Sequence, residues 1–529
     1  MDMLIKASLL FLFFAVMVVI GFACRRHARN VDGFVLGGRS VGPWLTAFAY
    51  GTSYFSAVVF VGYAGQFGWR YGISATWVGI GNALIGSLLA WAVLGRRTRI
   101  MTQHLDSATM PDFFAKRFGS PALKIMAAAI IFVFLIPYTA SLYNGLSRLF
   151  GMAFSIDYTW CVVLMSVLTA IYVIAGGYMA TAINDFIQGI IMLVGLVVVI
   201  WAVLESKGGL LVALDGLARV EGPSVLPGGS PTPGIFTSFL GPEPLNLLFV
   251  VILTSLGTWG LPQMVQKFYA IKNEGSIKKG TIISTLFAFV VAGGCYYLGG
   301  FGRLFSSVLN VTAKGVPADG FDAIIPKMLE GLPSMLIALV VVLVLSASMS
   351  TLSSLVITSS STFTIDFLNG TIVKKMDEKK QVLCIRSLIV VFIAISAGLA
   401  LVQYKSTSPI AFIAQMMGVS WGAMAGAFLA PFLYALYSKK VTAASCWACF
   451  ILAPAFTLVG VFCRDAMPAF LKSPINTGAL AMIGGLVIVP IVNLFSRKPQ
   501  KELVDGAFAC YEKTTVVQQA TALGAETIK

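Results

Sequence analysis

Charge is what this 529-residue chain has least of. Only 11% of its residues are Asp, Glu, Lys or Arg, 58% are hydrophobic, and the mean hydropathy is +0.88. Soluble domains carry about a quarter charged residues, so a soluble enzyme of this size is excluded and a polytopic membrane protein is implied. Histidine is nearly absent: His27 and His104, both in basic loops, belong to no catalytic or zinc constellation. There is no phosphate-binding glycine loop and no nucleophile elbow, so nothing argues for an ATPase or a hydrolase. The eight cysteines lie mostly in apolar stretches. Cys446 and Cys449 form a CxxC with no further Cys or His beside it, which reads as packing rather than metal or redox chemistry. Ionisable residues inside apolar stretches are also few. A proton-driven mechanism needs a carboxylate or His that changes charge in transit, so that scarcity favours Na+ over H+.

What is present is apolar length. Thirteen stretches are long enough, or nearly so, to cross about 30 Å of hydrocarbon as helices. They run roughly 4–23, 44–64, 73–94, 125–150, 158–174, 186–204, 245–270, 282–301, 335–363, 388–402, 410–437, 441–463 and 478–495. With the N-terminus outside, 25 of the 37 Lys and Arg fall in cytoplasmic loops and tail, so the positive-inside rule favours N-out, C-in. The net charge of +15 is therefore topology rather than a nucleic-acid surface. The first segment lacks a positive n-region and a clear cleavage site, and reads as a retained span.

Within the ninth stretch lies Leu345-Ser-Ala-Ser-Met-Ser-Thr-Leu-Ser-Ser354. Ala347, Ser350, Thr351 and Ser354 share one helical face at i, i+3, i+4 and i+7. Hydroxyls and a backbone carbonyl are hard, neutral donors that an alkali cation accepts in place of water. The other reading is that such hydroxyls bond back to the i−4 carbonyl or pack against a neighbouring helix.

Two spans carry interruptions. In the second, Gly51 before Thr52 and Ser53 is a place for the helix to unwind; in the seventh, Gly257, Gly260 and Pro262 loosen one turn. The two lie five spans apart. Five is odd, so the units starting at spans two and seven are inverted, and paired broken helices in inverted halves point to a midplane site in secondary transporters. The chain then divides into an N-terminal helix with a basic loop (1–40), a first five-helix repeat (41–204) and an extracellular loop (205–244). A second, inverted repeat (245–437), two accessory helices (438–496) and a cytoplasmic tail (497–529) follow. The outer loop carries Pro223, Gly228, Gly229, Pro231, Pro233, Gly234 and Pro242, and a short interfacial helix is expected around Phe321 to Leu329. Asn310-Val-Thr312 is a glycosylation sequon, relevant only on a secretory route. Asp185, at the start of the sixth stretch, has three roles open to it: cation ligand, acceptor for the hydroxyls, or helix cap. Arg148 and Lys267 sit near span ends and are expected to snorkel to water.

These residues resemble the sodium:solute symporter family from about Gly33 to Tyr437. The features are Phe34-Val-Leu-Gly-Gly-Arg-Ser40, Gly176-Gly-Tyr-Met-Ala180 with Asp185-Phe-Ile-Gln188, Pro262 with Lys267-Phe268, and Ala347-Ser-Met-Ser-Thr-Leu-Ser353. The resemblance implies an all-α, five-plus-five inverted-repeat (LeuT-like) core with one extra N-terminal and two extra C-terminal helices. It also implies a Na+ site from Thr52 and Phe55 of the second span with Ala347, Ser350 and Thr351 of the ninth. Asp185 matches an acidic residue near that site, and Ser354 would join a second, optional cation site.

The nearest branch is the proline and pantothenate one. Its proline members carry an Asp where this chain has Tyr54 and a Trp where it has Val58, and their aromatic substrate residues align with Thr254 and Thr258. The expected solute walls are Tyr54, Ser56, Tyr138, Tyr143, Asn144, Thr258 and Trp259.

The function expected from all this is Na+-coupled symport of a small organic solute, an amino acid such as proline or a carboxylate such as pantothenate, by alternating access. Its partners are Na+, the solute and the bilayer, with no nucleic acid and with oligomeric state open. The alternatives are a solute sensor, against which the short tail speaks, and a Na+-independent exchanger. The exchanger would need a Lys beside the ninth-span hydroxyls, where the sequence places none.

Overall fold

A bilayer offers no water to backbone N–H and C=O groups, so a chain this apolar must satisfy them within helices. The computed structural model describes residues 2–154, 156–222, 232–312, 315–369, 371–373, 376–404 and 413–511. Among these the regular structure is helical, with isolated bridges in place of strands. Ten helices are long and apolar enough to cross a membrane, or eleven if Pro244–Gly260 and Pro262–Ala270, bent by 45°, form one span. The expected thirteen differs because Val58–His104 and Tyr158–Glu205 run on for 47 and 48 residues. At 1.5 Å per residue each is about 70 Å long, twice what a bilayer core needs. Each also holds a glycine at positive φ, Gly72 at 63° and Gly177 at 57°, a conformation side chains resist.

Connections gather at two poles. At one, Arg39 donates to Ser107 O at 2.8 Å, Arg99 to Ile271 O at 2.6 Å, and Arg117 to Ser438 O at 3.1 Å. The Lys501–Phe508 helix packs over that pole, with Lys439 3.0 Å from Asp505 and Tyr511 donating to Arg97 O at 3.0 Å. At the other, Trp69 donates to Gly315 O at 3.0 Å and the Arg303 guanidinium lies over Trp69 and Phe236. These segments alternate between poles along the chain, as successive membrane passes require.

Several expectations are revised. Gly51 stays helical, and its lack of a side chain makes room for the Phe287 ring, 2.4 Å from where a Cβ would be. The break comes instead at Phe55 and Ser56. The short helix expected around Phe321 to Leu329 is present, a 3₁₀ turn at Phe321–Ala323 running into the α-helix Ile324–Leu329, but it packs inward against Gly65. Pro223, Gly228, Gly229, Pro231, the start of the eleventh stretch at 410–412, and the tail from 512 lie outside the described residues.

Candidate functional site

Pro43–Tyr54 begins with Pro at its first turn and stops where Phe55 turns extended, at φ −95° and ψ 121°. With Ser56 out of the helix, the Thr52 carbonyl loses its i+4 donor. The second broken span repeats the device: Leu261, between Pro244–Gly260 and Pro262–Ala270, sits at φ −81° and ψ 121°. A proline just after a break cannot return an N–H to the turn before it.

The freed carbonyls meet the hydroxyl stripe of Ser334–Thr362. Ser350 Oγ lies 3.2 Å from Thr52 O and 3.0 Å from Ala347 O. Thr351 Oγ1 lies 3.1 Å from Thr52 O, 3.4 Å from Phe55 O and 3.1 Å from Ala347 O. Thr52 contributes its carbonyl only, since its own hydroxyl donates to Phe48 O at 2.9 Å. All five residues are buried. Two hydroxyls have one proton each, so five oxygen contacts share two protons, and the two to Ala347 O are bonds back along the same helix.

One turn along, Ser354 Oγ is 2.8 Å from Ser53 Oγ and 3.0 Å from Lys267 Nζ. Lys267 is 2% exposed, so it does not snorkel; its ammonium faces Asp185 Oδ2 at 4.0 Å and the Tyr178 ring at 5.0 Å. The expectation that no Lys neighbours the stripe is corrected by this contact. Nor does Asp185 cap a helix: it lies two turns into the segment that resumes after Gly177, fully buried, and neither carboxylate oxygen accepts a hydrogen bond. Arg148 is exposed.

The model of the family described as "Sodium:solute symporter family" matches residues 34–452. The chain belongs to that family. It is a Na+-coupled symporter of a small solute, with Na+ as coupling ion, and a multi-pass membrane transporter. Similar curated proteins include the osmoregulated proline transporter OpuE of Bacillus subtilis, 28% identical, with 93% of this chain and 94% of that one covered. A sodium/proline symporter of Staphylococcus aureus is 28% identical over 82% of this chain and 81% of its own. Among solved structures, a Na+-coupled sialic acid symporter in a substrate-bound outward-open state superposes with a TM-score of 0.70 at 16% identity. That match covers 94% of this chain and 99% of the other. MhsT in complex with L-phenylalanine matches with a TM-score of 0.50 at 14% identity, covering 85% and 97%. These likenesses give this symporter its fold, the LeuT-like five-plus-five core.

In this sodium:solute symporter the space between the broken spans is aromatic. Trp421, on Ile413–Tyr437, sets its indole tilted against Tyr54 and edge-to-face with Tyr138, with centroids 6.0 and 5.9 Å away. Gly257 gives it room: a Cβ there would come within 2.6 Å of the ring. Tyr63 lies within electrostatic reach of Tyr54, Tyr138 and Tyr296, and Tyr54 within reach of Tyr296. Trp421 Nε1 and the hydroxyls of Tyr63, Tyr138 and Tyr296 are buried without a well-aligned hydrogen bond, although Tyr138 lies beside Ser56 and Trp421, and Tyr296 beside Asn82. Buried polar atoms are normally paired, so an unpaired group there is a candidate for a ligand.

The expected solute walls divide accordingly. Tyr54 and Tyr138 come together, and Ser56, in the break between them, accepts from Val58 N at 3.2 Å. Thr258 and Trp259 turn away, donating to Gly86 O at 3.0 Å and Ile85 O at 2.9 Å in the π-helical Asn82–Leu89. Asn144 pairs with the Tyr158 hydroxyl, and the Tyr143 hydroxyl is buried without a well-aligned hydrogen bond. Trp421, Tyr63, Tyr296 and Lys267 were not anticipated. One sequence signal for Trp421 was available: a Trp amid Gly418, Gly422 and Gly426 faces neighbours that come close.

Proposed function

We propose that the five oxygens of Thr52, Phe55, Ala347, Ser350 and Thr351 hold the coupling Na+, and that Tyr54, Ser56, Tyr138 and Trp421 form the solute wall. The observation that carries the ion site is the excess of oxygen contacts over protons. Oxygens 3.0–3.4 Å apart can share a centre roughly 2.2–2.4 Å from each, the range at which hard cations are held by oxygen. A cation there relieves the contacts that no proton bridges.

The solute reading is a small amino acid or carboxylate. The proline transporters among the relatives support the size and class. Unpaired donors, Trp421 Nε1 and tyrosine hydroxyls, suit an anionic group. Tyr54 in place of the Asp of proline carriers favours a solute whose carboxylate, rather than its ammonium, is recognised at the break. We further read 41–204 and 245–437 as the inverted repeats, the basic pole as cytoplasmic and the N-terminus as outside, so that the inward Na+ gradient drives import.

The test is thermal stability of the purified protein in Na+ against K+, across proline and other amino acids, pantothenate and short carboxylates. Ligands that bind only the folded state raise its stability by mass action. A carboxylate-bearing solute that stabilises in Na+ and not in K+ is the expected result. A solute that stabilises equally in both salts refutes the coupling site.

A further inference from the structure

We propose that Arg25 and Arg386 together hold the phosphate of an anionic phospholipid at the basic pole of this symporter. The two arginines come from distant parts of the chain. Arg25 lies in the 3₁₀ turn Cys24–His27 that follows the first helix, and Arg386 lies on Glu378–Tyr404. The turn joins them: Arg386 Nη2 donates to Ala28 O at 3.3 Å, and Ala28 N donates to Arg25 O at 3.2 Å.

Charge at this point is unbalanced. The charged side chain that bears on Arg386 is Arg25, a like charge, and among the described residues neither arginine forms an ion pair. Arg386 Nε is buried and has no acceptor. A snorkelling side chain is free to follow water; this guanidinium is held on Ala28 O and over the Phe34 ring, 5.6 Å from its centroid. Buried donors are normally paired, and two neighbouring guanidiniums repel unless an anion lies with them.

Depth and surroundings give the class of anion. At 1.5 Å per residue, Arg386 is about 12 Å along its helix from Glu378, two residues before the apolar stretch that begins at 388. One turn to either side on the same face, Leu383 and Val390 are 64% and 50% exposed, and Phe22 of the first helix is 56% exposed. In a membrane those apolar side chains meet acyl chains. A phosphate tethered to acyl chains therefore reaches the arginines where headgroup meets hydrocarbon and gains apolar contacts that a free ion lacks. Placing this lipid in the cytoplasmic leaflet rests on the reading of the basic pole as cytoplasmic.

The measurement is native mass spectrometry of the detergent-purified protein with equal amounts of dioleoyl phosphatidylglycerol and dioleoyl phosphatidylcholine, together with thermal stability in micelles of each lipid. A basic group beside an anionic lipid surface contributes about fivefold in affinity. Wild type should retain phosphatidylglycerol over phosphatidylcholine by about tenfold or more, and Arg25→Gln and Arg386→Gln should each lower that retention about fivefold. Lys440→Gln removes the same charge from the same pole and should leave it nearly unchanged. Equal retention of the two lipids by wild type, or equal losses in all three variants, overturns the inference. Inorganic phosphate that stabilises the protein and displaces the lipid also overturns it, since that marks a site for a free anion. If Arg386→Gln does not fold, Arg25→Gln, whose side chain is exposed, decides. Failure of the orientation alone looks different: Arg29→Cys would be labelled by an impermeant maleimide from outside the cell, with lipid retention unchanged.

Discussion

Thr351→Ala should weaken Na+ binding more than Ser350→Ala, because the Thr351 hydroxyl reaches three carbonyls and the Ser350 hydroxyl two. A polar contact to a charged partner contributes about 1.5–3 kcal/mol, and about 1.4 kcal/mol is tenfold in affinity. Ser350→Ala then weakens Na+ about tenfold, and Thr351→Ala nearer a hundredfold. At a Na+ concentration one hundred times the wild-type Kd, the ion stabilises the fold by about 2.7 kcal/mol. That contribution falls to about 1.4 kcal/mol in Ser350→Ala and about 0.4 kcal/mol in Thr351→Ala.

The assay is a Na+ titration of thermal stability at constant ionic strength with K+, read as the difference between the two salts. This difference cancels any stability the variants lose for structural reasons. Ser348→Ala is the control: its hydroxyl donates to Val344 O at 2.7 Å on another face of the helix, and its Na+ response should match wild type. Unchanged Na+ dependence in both Ser350→Ala and Thr351→Ala would refute the assignment.

Other expectations can be checked separately. Trp421→Phe removes an unpaired indole N–H; the solute concentration for half-maximal uptake should rise about tenfold, with Na+ stabilisation in the absence of solute unchanged. Lys124→Met deprives buried Asp366 of an ammonium 3.3 Å away; it should cost about 3 kcal/mol, and adding Asp366→Asn should recover most of that in thermal unfolding. Gly68→Ala would set a Cβ 2.0 Å from the Gly299 backbone, so the folded, monodisperse fraction in size-exclusion chromatography should fall sharply.

Burial raises the pKa of Asp322, against the pull of Arg148 and the Ile413 N–H. The folded state thus keeps a proton that the unfolded state has lost, and stability should fall as pH rises from the ordinary carboxyl value of about 3.9 toward the raised one. Asp322→Asn should flatten that slope in a melting series.

The hydroxyl stripe was legible because helical spacing alone puts Ser350, Thr351 and Ser354 on one face. Its partners, 298 and 299 positions away in sequence for the Thr52 carbonyl, are not a matter of spacing and came only from family resemblance. Lys267 was misread because its place near a span end suggests an exit to water. The bend before Pro262 turns that short helix inward instead, where Asp185 compensates the charge. Thr258 and Trp259 find backbone partners for a related reason. Their spacing puts them at the break, but the π-helical Asn82–Leu89 exposes the carbonyls of Ile85 and Gly86 toward them, and a buried donor goes to a free carbonyl. Tyr54 likewise donates to a backbone carbonyl, Thr254 O at 3.2 Å, while its ring faces Trp421.

The break itself explains why ion and solute would bind together. In the proposed reading Thr52 and Phe55 offer carbonyls to the cage while Tyr54 and Ser56 belong to the solute wall, so the two sites would alternate along five consecutive residues. Phe55 is extended, which sends its carbonyl and the side chains of its neighbours in different directions. An ion that draws the carbonyls of Thr52 and Phe55 onto Ser350 and Thr351 fixes the backbone between them. The conformational freedom that Tyr54 would otherwise lose on meeting the solute is then already lost. Linkage makes this reciprocal: whatever factor Na+ adds to solute affinity, solute must add to Na+ affinity. No contact between ion and solute is required, only a short unwound segment that both hold.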